Sequence, residues 1–376
     1  MWVHSLTLTD FRSHRQVDLD LSPGVTTFVG LNGQGKTNLI EAIGYVSSLS
    51  SHRVASDAPL VRHGADIAFI RCGITSDDRE IIVDIAITPG RANKARVNQS
   101  PLPRIRDVLG LLRTVLFAPE DLSLVKGDPS ERRRFLDDLL IQRSPRLAAT
   151  RSDYERVLKQ RNALLKSASV ARRRAEDEML RTLEVWDDQL ATVGGQLVHE
   201  RVCLVTDLQP LAEHEYRIVA GAEGSVLGLS YVSSMGGNSE QPSGRDAWRT
   251  RILEELATRR GDELNRGLTL VGPHRDDLLL TLADLPAKGY ASHGEAWSIA
   301  LALRLASFAL LRSDGVDPVL MLDDVFAELD ATRRDRLAQR VSTAHQVLIT
   351  AAVEADVPSA LHGATFRVSR ESVAQG

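Results

Sequence analysis

One octapeptide, Gly30-Leu31-Asn32-Gly33-Gln34-Gly35-Lys36-Thr37, limits what this chain can fold into more than any other stretch, because it fills every fixed position of the phosphate-binding pattern G-x-x-x-x-G-K-[S/T]. That pattern works only as a turn between a strand and a helix. The apolar run from Val25 to Val29 predicts the strand, and Asn38 to Ile43 predicts the helix. Glycines at 30, 33 and 35 let the backbone close around phosphate oxygens, so that amide N–H groups and the positive end of the helix face the charge. Lys36 is placed to reach the β- and γ-phosphates, and Thr37 to offer its hydroxyl to a magnesium ion, with Asn38 beside them. The expectation is a nucleoside triphosphate site that takes ATP and Mg2+.

Far along the chain, Asp317-Pro318-Val319-Leu320-Met321-Leu322-Asp323-Asp324 reads as a short apolar strand ending in two carboxylates. Asp323 is placed to hold magnesium, and Asp324 to sit near an attacking water. A buried strand followed by an acidic turn would leave the same trace. Downstream, Ala327-Glu328-Leu329-Asp330 resembles the loop that crosses the dimer interface in ATP-binding-cassette ATPases. Upstream, Ser292-His293-Gly294-Glu295 opens a helix from Ala296 to Leu311 and resembles the S-x-G-[E/Q] signature of that superfamily. Serine and glycine at a helix N-terminus make a second anion site, which in that superfamily meets the γ-phosphate held by the other subunit. An ordinary helix cap would look alike. What the single pieces lack, their order supplies: phosphate loop, long insertion, signature, acidic strand and interface loop follow in the superfamily's sequence.

The 376 residues, 43% of them hydrophobic, are enough for a full core and two or three structural units. Cys72 and Cys203 are too few for a disulfide framework or a cysteine-rich zinc site. No apolar run approaches the roughly 20 residues that span a bilayer, and Met1 to Ser5 lacks a basic segment followed by an apolar one, so the expected location is cytoplasmic. A formal charge of −4 gives no global sign of nucleic-acid binding, and any DNA contact must come from local patches.

Val17, Leu19 and Leu21 alternate with Asp18 and Asp20, as on a strand with one buried face, and strands are expected at 67–74 and 79–87. These predict an antiparallel β-layer beside the nucleotide site. From Ser130 to Arg201 the period becomes helical and arginine-rich, and the glycine- and serine-rich stretch from Gly221 to Gly244 predicts a loop. A last helix from Asp246 to Arg260 is expected to lead back to the nucleotide-binding core at 268–277. The predicted class is α/β, a P-loop ATP-binding-cassette-type ATPase head with an antiparallel β-layer. Residues 1–125 and 265–376 form the head, and 126–264 an inserted helical arm.

Several blocks resemble the RecF family, bacterial recombinational-repair ATPases of the SMC/Rad50-like branch. They are Asp10 to His14, Asn32 to Leu39, Phe117 to Leu122, Val125 to Gly127, Arg132 to Asp137, Gly272 to Asp277 and Leu322 to Val325. The resemblance covers the chain nearly end to end and is weakest from Arg172 to Gly244. It implies that residues 30–37 bind the triphosphate, Arg12 and Ser13 flank the nucleotide, Asp323 holds magnesium with Thr37, and Asp324 positions the hydrolytic water. Ser292, Gly294 and Glu295 are implied to act across a homodimer that closes on ATP. Also implied are slow, DNA-stimulated hydrolysis, binding of duplex and gapped DNA, partnership with RecO and RecR, and help in placing RecA. His293 stands where the family often carries glutamine, and Thr350 where many cassette ATPases carry a switch histidine.

Two other classes compete. The ATPase subunit of a membrane transporter shares the ordered motifs. The long helical insertion, Asp324 in place of glutamate, and Phe11-Arg12-Ser13 in place of an adenine-stacking aromatic segment count against it. A P-loop kinase or GTPase would leave the signature unexplained, and a guanine-reading N-K-x-D is absent. For DNA, the candidate cations are Arg132, Arg133, Arg134, Arg143, Arg146, Arg151 and Arg156, then Arg172, Arg173 and Arg174. Three consecutive arginines on a helix cannot share a face, so some are expected to pair with Glu131, Asp137 and Asp138.

Overall fold

The computed structural model describes the chain except Asp78, residues 171–175, 222–225 and 237–241, Glu371, and the side chains of residues 168–170 and 176–179. Two units emerge: Met1–Lys126 with Leu211–Leu227 and Gly289–Gly376, and Gly127–Pro210 with Gly228–Lys288.

The first unit begins with β1 (Trp2–Phe11) and β2 (His14–Asp20), paired antiparallel with Leu6 opposite Leu19 and Leu8 opposite Val17. All four of these side chains are buried, so the period-2 pattern turns one face of the ribbon to the core. β3 (Gly24–Val29) leads through the phosphate loop into α1 (Lys36–Ser48). β4 (Ala68–Ser76), β5 (Arg79–Ile87), β6 (Lys94–Val97) and β7 (Ser100–Pro101) complete an antiparallel sheet of order β2-β1-β4-β5-β6-β7. β8 (Thr114–Phe117) and the short α2 (Leu122–Lys126) follow.

The second unit contains α3 (Pro129–Arg143), α4 (Leu147–Val170), the part of α5 (Glu176–Ala220) up to Pro210, β9 (Leu227–Val232) from Gly228 onward, and α6 (Arg245–Arg266). β10 (Asp277–Leu282) and β11 (Leu285–Pro286) join β9 in a three-stranded sheet, and α7 (Ala287–Tyr290) ends the insertion. Buried ion pairs mark this unit. Arg161, fully buried, donates to Asp187 at 2.7 Å, Glu263 at 2.6 Å and Thr269 at 2.8 Å. Arg201 grips Asp137 with two bonds of 2.7 and 2.9 Å and the carbonyl of Pro273 at 2.7 Å.

The chain then returns to the first unit with α8 (His293–Ser313), β12 (Val319–Asp323), α9 (Ala331–Val341), β13 (Gln346–Ala351), β14 (Ala364–Val368) and β15 (Val373–Gln375). A second sheet, of order β15-β14-β3-β13-β12-β8, is parallel except for its β15 edge. β12 and β13 are buried along their whole length, as strands covered on both faces must be. Gln346 ties the two sheets together: its buried amide bonds both the N–H and C=O of Val3 at 2.8 Å. The class is α/β, with an antiparallel layer beside the parallel sheet, as the sequence predicts.

Several expectations need correction. The stretch 221–244 contains β9, because Leu227, Leu229 and Tyr231 point inward while small or exposed residues alternate with them. Residues 268–277 belong to the second unit: Asp277 accepts two 2.8 Å bonds from Arg132, and Asp276 accepts 2.6 and 2.7 Å bonds from the Tyr231 hydroxyl and the Ser234 amide. The unit boundary therefore lies after Lys288, not at 264/265. Residues 211–227 in turn fall to the first unit, where Arg340 of α9 pairs with the buried Glu215 and Arg336 donates to the carbonyl of Val219 at 3.1 Å. α8 is also long and apolar enough to cross a membrane by length and composition, against the expectation that no segment is, but it lies buried in the first unit.

Candidate functional site

The phosphate loop leaves β3 and turns into α1 with Gly33 at φ +79° and Gly35 at φ +101°, values that L side chains rarely adopt. A Cβ on Gly35 would lie 2.7 Å from both the Ser13 hydroxyl and the His14 ring, and one on Gly30 would lie 2.3 Å from the carbonyl of Val368. Two fixed glycines of the motif are thus demanded by packing as well as by phosphate approach. His14 braces the loop, its Nε2 lying 3.0 Å from the carbonyl of Gly35. Lys36 is almost fully buried, and its ammonium donates to the carbonyl of Gly30 at 2.8 Å and to Asn32 Oδ1 at 3.3 Å.

Across the sheet, parallel pairing sets Asp323 at the end of β12 beside Thr350 of β13. Oδ1 of Asp323 accepts from the hydroxyls of Thr37 at 2.9 Å and Thr350 at 2.6 Å. The Thr350 hydroxyl in turn accepts from the amide of Asp324 at 2.9 Å, which helps hold Asp324 in the left-handed region at φ +50°. Burial pushes the Asp323 carboxyl up to about 6, opposed by the two threonine hydroxyls and assisted by the nearby charges of Asp324 and Glu120. A hydroxyl and a carboxylate that meet at one point make an oxygen donor set suited to a hard divalent cation.

That displacement sets a sign for pH. An unfolded chain ionises Asp323 near the usual carboxylate value while the folded chain keeps its proton to about 6, so stability falls as pH rises between the two. The full cost is about 3 kcal/mol. Asp323→Asn keeps an acceptor for both hydroxyls and removes the cost. Without nucleotide or metal, it is expected to melt higher than the parent at pH 7.5 by an amount that vanishes near pH 4, and thermal unfolding at the two values checks this.

Arg12, which also lies in the left-handed region at φ +54°, spends Nε and Nη2 on Glu41 at 2.8 and 2.5 Å and Nη1 on the carbonyl of Pro59 at 3.1 Å. Ser13 accepts from Asn38 at 2.8 Å. Arg12, Ser13 and Asn38 line a cavity of about 590 Å3 together with Arg53, Pro59 and His63. Here the buried Glu41, which sequence reasoning passed over, neutralises Arg12 and lies 3.7 Å from Arg53.

Ser292 caps α8 in a reciprocal box: its hydroxyl accepts from the Glu295 amide at 3.3 Å, while its own amide donates to the Glu295 carboxylate at 2.8 Å and holds that carboxyl below its ordinary value. Ser292, the residue that makes this cap, lies exposed at the start of the helix. Gly294 faces Arg333 of α9, whose Nη2 would lie 3.0 Å from an added Cβ, and Arg333 is pinned by Asp330 at 2.5 Å and Ser298 at 3.0 Å. Asp330 and the first turn of α8 are therefore joined through Arg333.

The arm arginines are mostly engaged: Arg132 with Asp277, Arg133 with the carbonyl of Asp276, Arg134 with Asp138, Arg143 with Asp207, Arg151 with Asp138 and Glu155, and Arg156 with Asp153. Arg146 is exposed. Arg172 to Arg174 lie outside the described residues.

Residues 2–372 match the family described as RecF/RecN/SMC N terminal domain. A relative in Frankia alni named DNA replication and repair protein RecF is 58% identical over 375 residues, 99% of each chain, and one so named in Streptomyces avermitilis is 57% identical over 374 residues, 99% of each. The chain belongs to the RecF family. A solved structure described as the recombination mediator protein RecF-ATP in the RecFOR pathway superposes with a TM-score of 0.90 at 27% identity, covering 100% of this chain and 97% of that one. An Smc head domain from Pyrococcus furiosus shares the fold alone, at a TM-score of 0.54 and 15% identity. With the RecF family in hand, Thr350 no longer reads as the mere lack of a histidine. Its hydroxyl joins Asp323 to the backbone of Asp324, a link legible only once the β12–β13 register is known.

Proposed function

We propose that this RecF-family chain is an ATP-dependent DNA-binding protein of recombinational repair, closing as a homodimer on ATP and hydrolysing it slowly. One observation carries the reading: the 2.9 Å bond from Thr37 to Asp323 joins residues 286 positions apart into one site. In this reading Lys36, Gly33, Gly35 and the start of α1 bind the triphosphate, and the cavity at Arg12 and Ser13 takes the nucleoside. Thr37 and Asp323 hold magnesium, which when bound offsets the charge of the phosphate oxygens. Asp324 orients the attacking water. Ser292, Gly294 and Glu295 of a second copy complete the site from the exposed start of α8. The relatives' names support the repair role, and the RecF-ATP structure supports ATP as ligand. Gapped DNA is the proposed substrate, RecO and RecR the proposed partners, and RecA loading the proposed outcome.

Gel-shift competition among gapped, duplex and single-stranded DNA, with ATP and without, tests the whole. Binding that ignores ATP would overturn it. For the arm, Arg146→Gln is expected to weaken binding to all duplex sequences alike and to flatten the slope of log affinity against log salt by roughly 0.9, with melting unchanged. Arg143→Gln and Arg151→Gln added to it should bring the flattening to about 2 to 3 units, and the loss of Arg151 should also lower the melting temperature, since it bridges Asp138 and Glu155. An unchanged slope in the triple variant would move the DNA surface off this face.

A further inference from the structure

A buried polar atom beside the site has no role in the reading above. His52 follows α1 in a segment fixed by Ser51, whose hydroxyl donates to Glu41 at 2.5 Å and accepts from the amides of Arg53 and Val54 at 2.9 and 3.2 Å. The imidazole therefore does not sit where it is by looseness of the chain. Its Nε2 is buried with no hydrogen-bond partner among the described residues. It lies 3.9 Å from Oδ2 of Asp323, too far for a direct bond. Both threonine hydroxyls fall on the other carboxylate oxygen, Oδ1. An orphaned nitrogen and a carboxylate oxygen with no hydroxyl on it among the described residues thus face each other across a short gap, with the carboxylates of Glu41, Glu120 and Asp121 and the guanidinium of Arg53 nearby. A buried donor left unpaired is a net cost to folding, and a wholly structural residue at this place would be better served by an apolar ring.

We propose that His52 is a positioning residue of the metal site, its Nε2–H donating to a water bound to the cation that Thr37 and Asp323 hold. The inference rests on the reading of Asp323 as the magnesium carboxylate. It assigns His52 no proton transfer and no contact with the nucleotide. Its work is to fix the coordination sphere from the Oδ2 side, where the threonines do not reach.

The test uses the full chain and two variants. His52→Phe fills the space without a donor, and His52→Gln returns an amide N–H close to the place of Nε2. Two quantities are read: the melting temperature without nucleotide or metal, and the Mg2+ concentration that half-saturates binding of a slowly hydrolysed ATP analogue. Loss of an outer partner of a metal site commonly lowers metal affinity by about 10-fold or more. The expected result is that His52→Phe melts no lower than the parent yet needs about 10-fold more Mg2+, while His52→Gln stays within about 3-fold of the parent. A Mg2+ requirement unchanged in His52→Phe, or raised equally in both variants, would overturn the proposal. Asp323→Asn separates the two levels of argument. If that variant needs no more Mg2+ than the parent, the metal-site reading itself fails; if it needs far more while His52→Phe does not, only the role of His52 fails.

Discussion

Lys36→Ala is expected to weaken ATP binding by about 10- to 150-fold, and with it every ATP-dependent state of the molecule. The ammonium is the phosphate loop's own fixed positive charge, and a charge-assisted bond to a phosphate oxygen contributes about 1.5–3 kcal/mol where water is excluded. Lys36 is already drawn in among loop acceptors, the carbonyl of Gly30 and Asn32 Oδ1, so its position is set before ligand arrives. Those acceptors can turn to water when the side chain is removed, and the melting temperature should hardly move. Equilibrium binding of a fluorescent ATP analogue decides the matter. Undiminished affinity in a folded variant would mean that the loop binds something else.

Ser292→Arg is expected to leave ATP binding by the single subunit nearly intact and to abolish the ATP-dependent dimer. In the proposed assembly the start of α8 approaches the γ-phosphate of the other copy, and a bulky guanidinium there both blocks the approach and faces the positive end of its own helix. The substitution also removes the cap made by the Ser292 hydroxyl, a loss of about 1 kcal/mol. Ser292→Ala loses the same cap without adding bulk or charge, so it serves as the control. Light scattering with and without ATP gives the readout. A Ser292→Arg variant that dimerises like the parent would remove the two-subunit sandwich from the account.

What the sequence revealed and what it hid follow from the range of the forces involved. The strand, loop and helix at 25–43 were legible because glycine conformation and helix polarity act within a few residues. Asp323 was legible because a fully buried parallel strand must be apolar throughout and can admit acid only at its end. The bridge through Thr350 was not, since it depends on which strand lies next to β12. Glu41 and His52 were hidden for the same reason: one is an acid on a helix, the other a histidine in a turn, until the fold brings arginines to the first and the Asp323 carboxylate to the second. The arginines from 132 to 156 were read as a basic face, but two of them pair with carboxylates distant in sequence, Arg132 with Asp277 and Arg143 with Asp207, which no local pattern announces. β9 was masked by composition, because glycine and serine on its outward positions diluted an inward alternation that burial makes plain.

The neighbours of β3 carry a consequence for how the protein is made. β3 lies between β13 and β14, both of which are translated more than three hundred residues after it. At roughly 5–20 residues per second, a ribosome needs about 15–60 s to supply them. Throughout that interval the strand that feeds the phosphate loop lacks at least one lateral partner, and for most of it Thr37 has no Asp323 to meet. An unfinished chain therefore lacks the complete site proposed for ATP, and it presents two open β-edges that invite mispairing. Nascent chains should depend on a holding chaperone until the last tenth of the sequence appears, and a message truncated before β13 should yield aggregate, not a partly active ATPase.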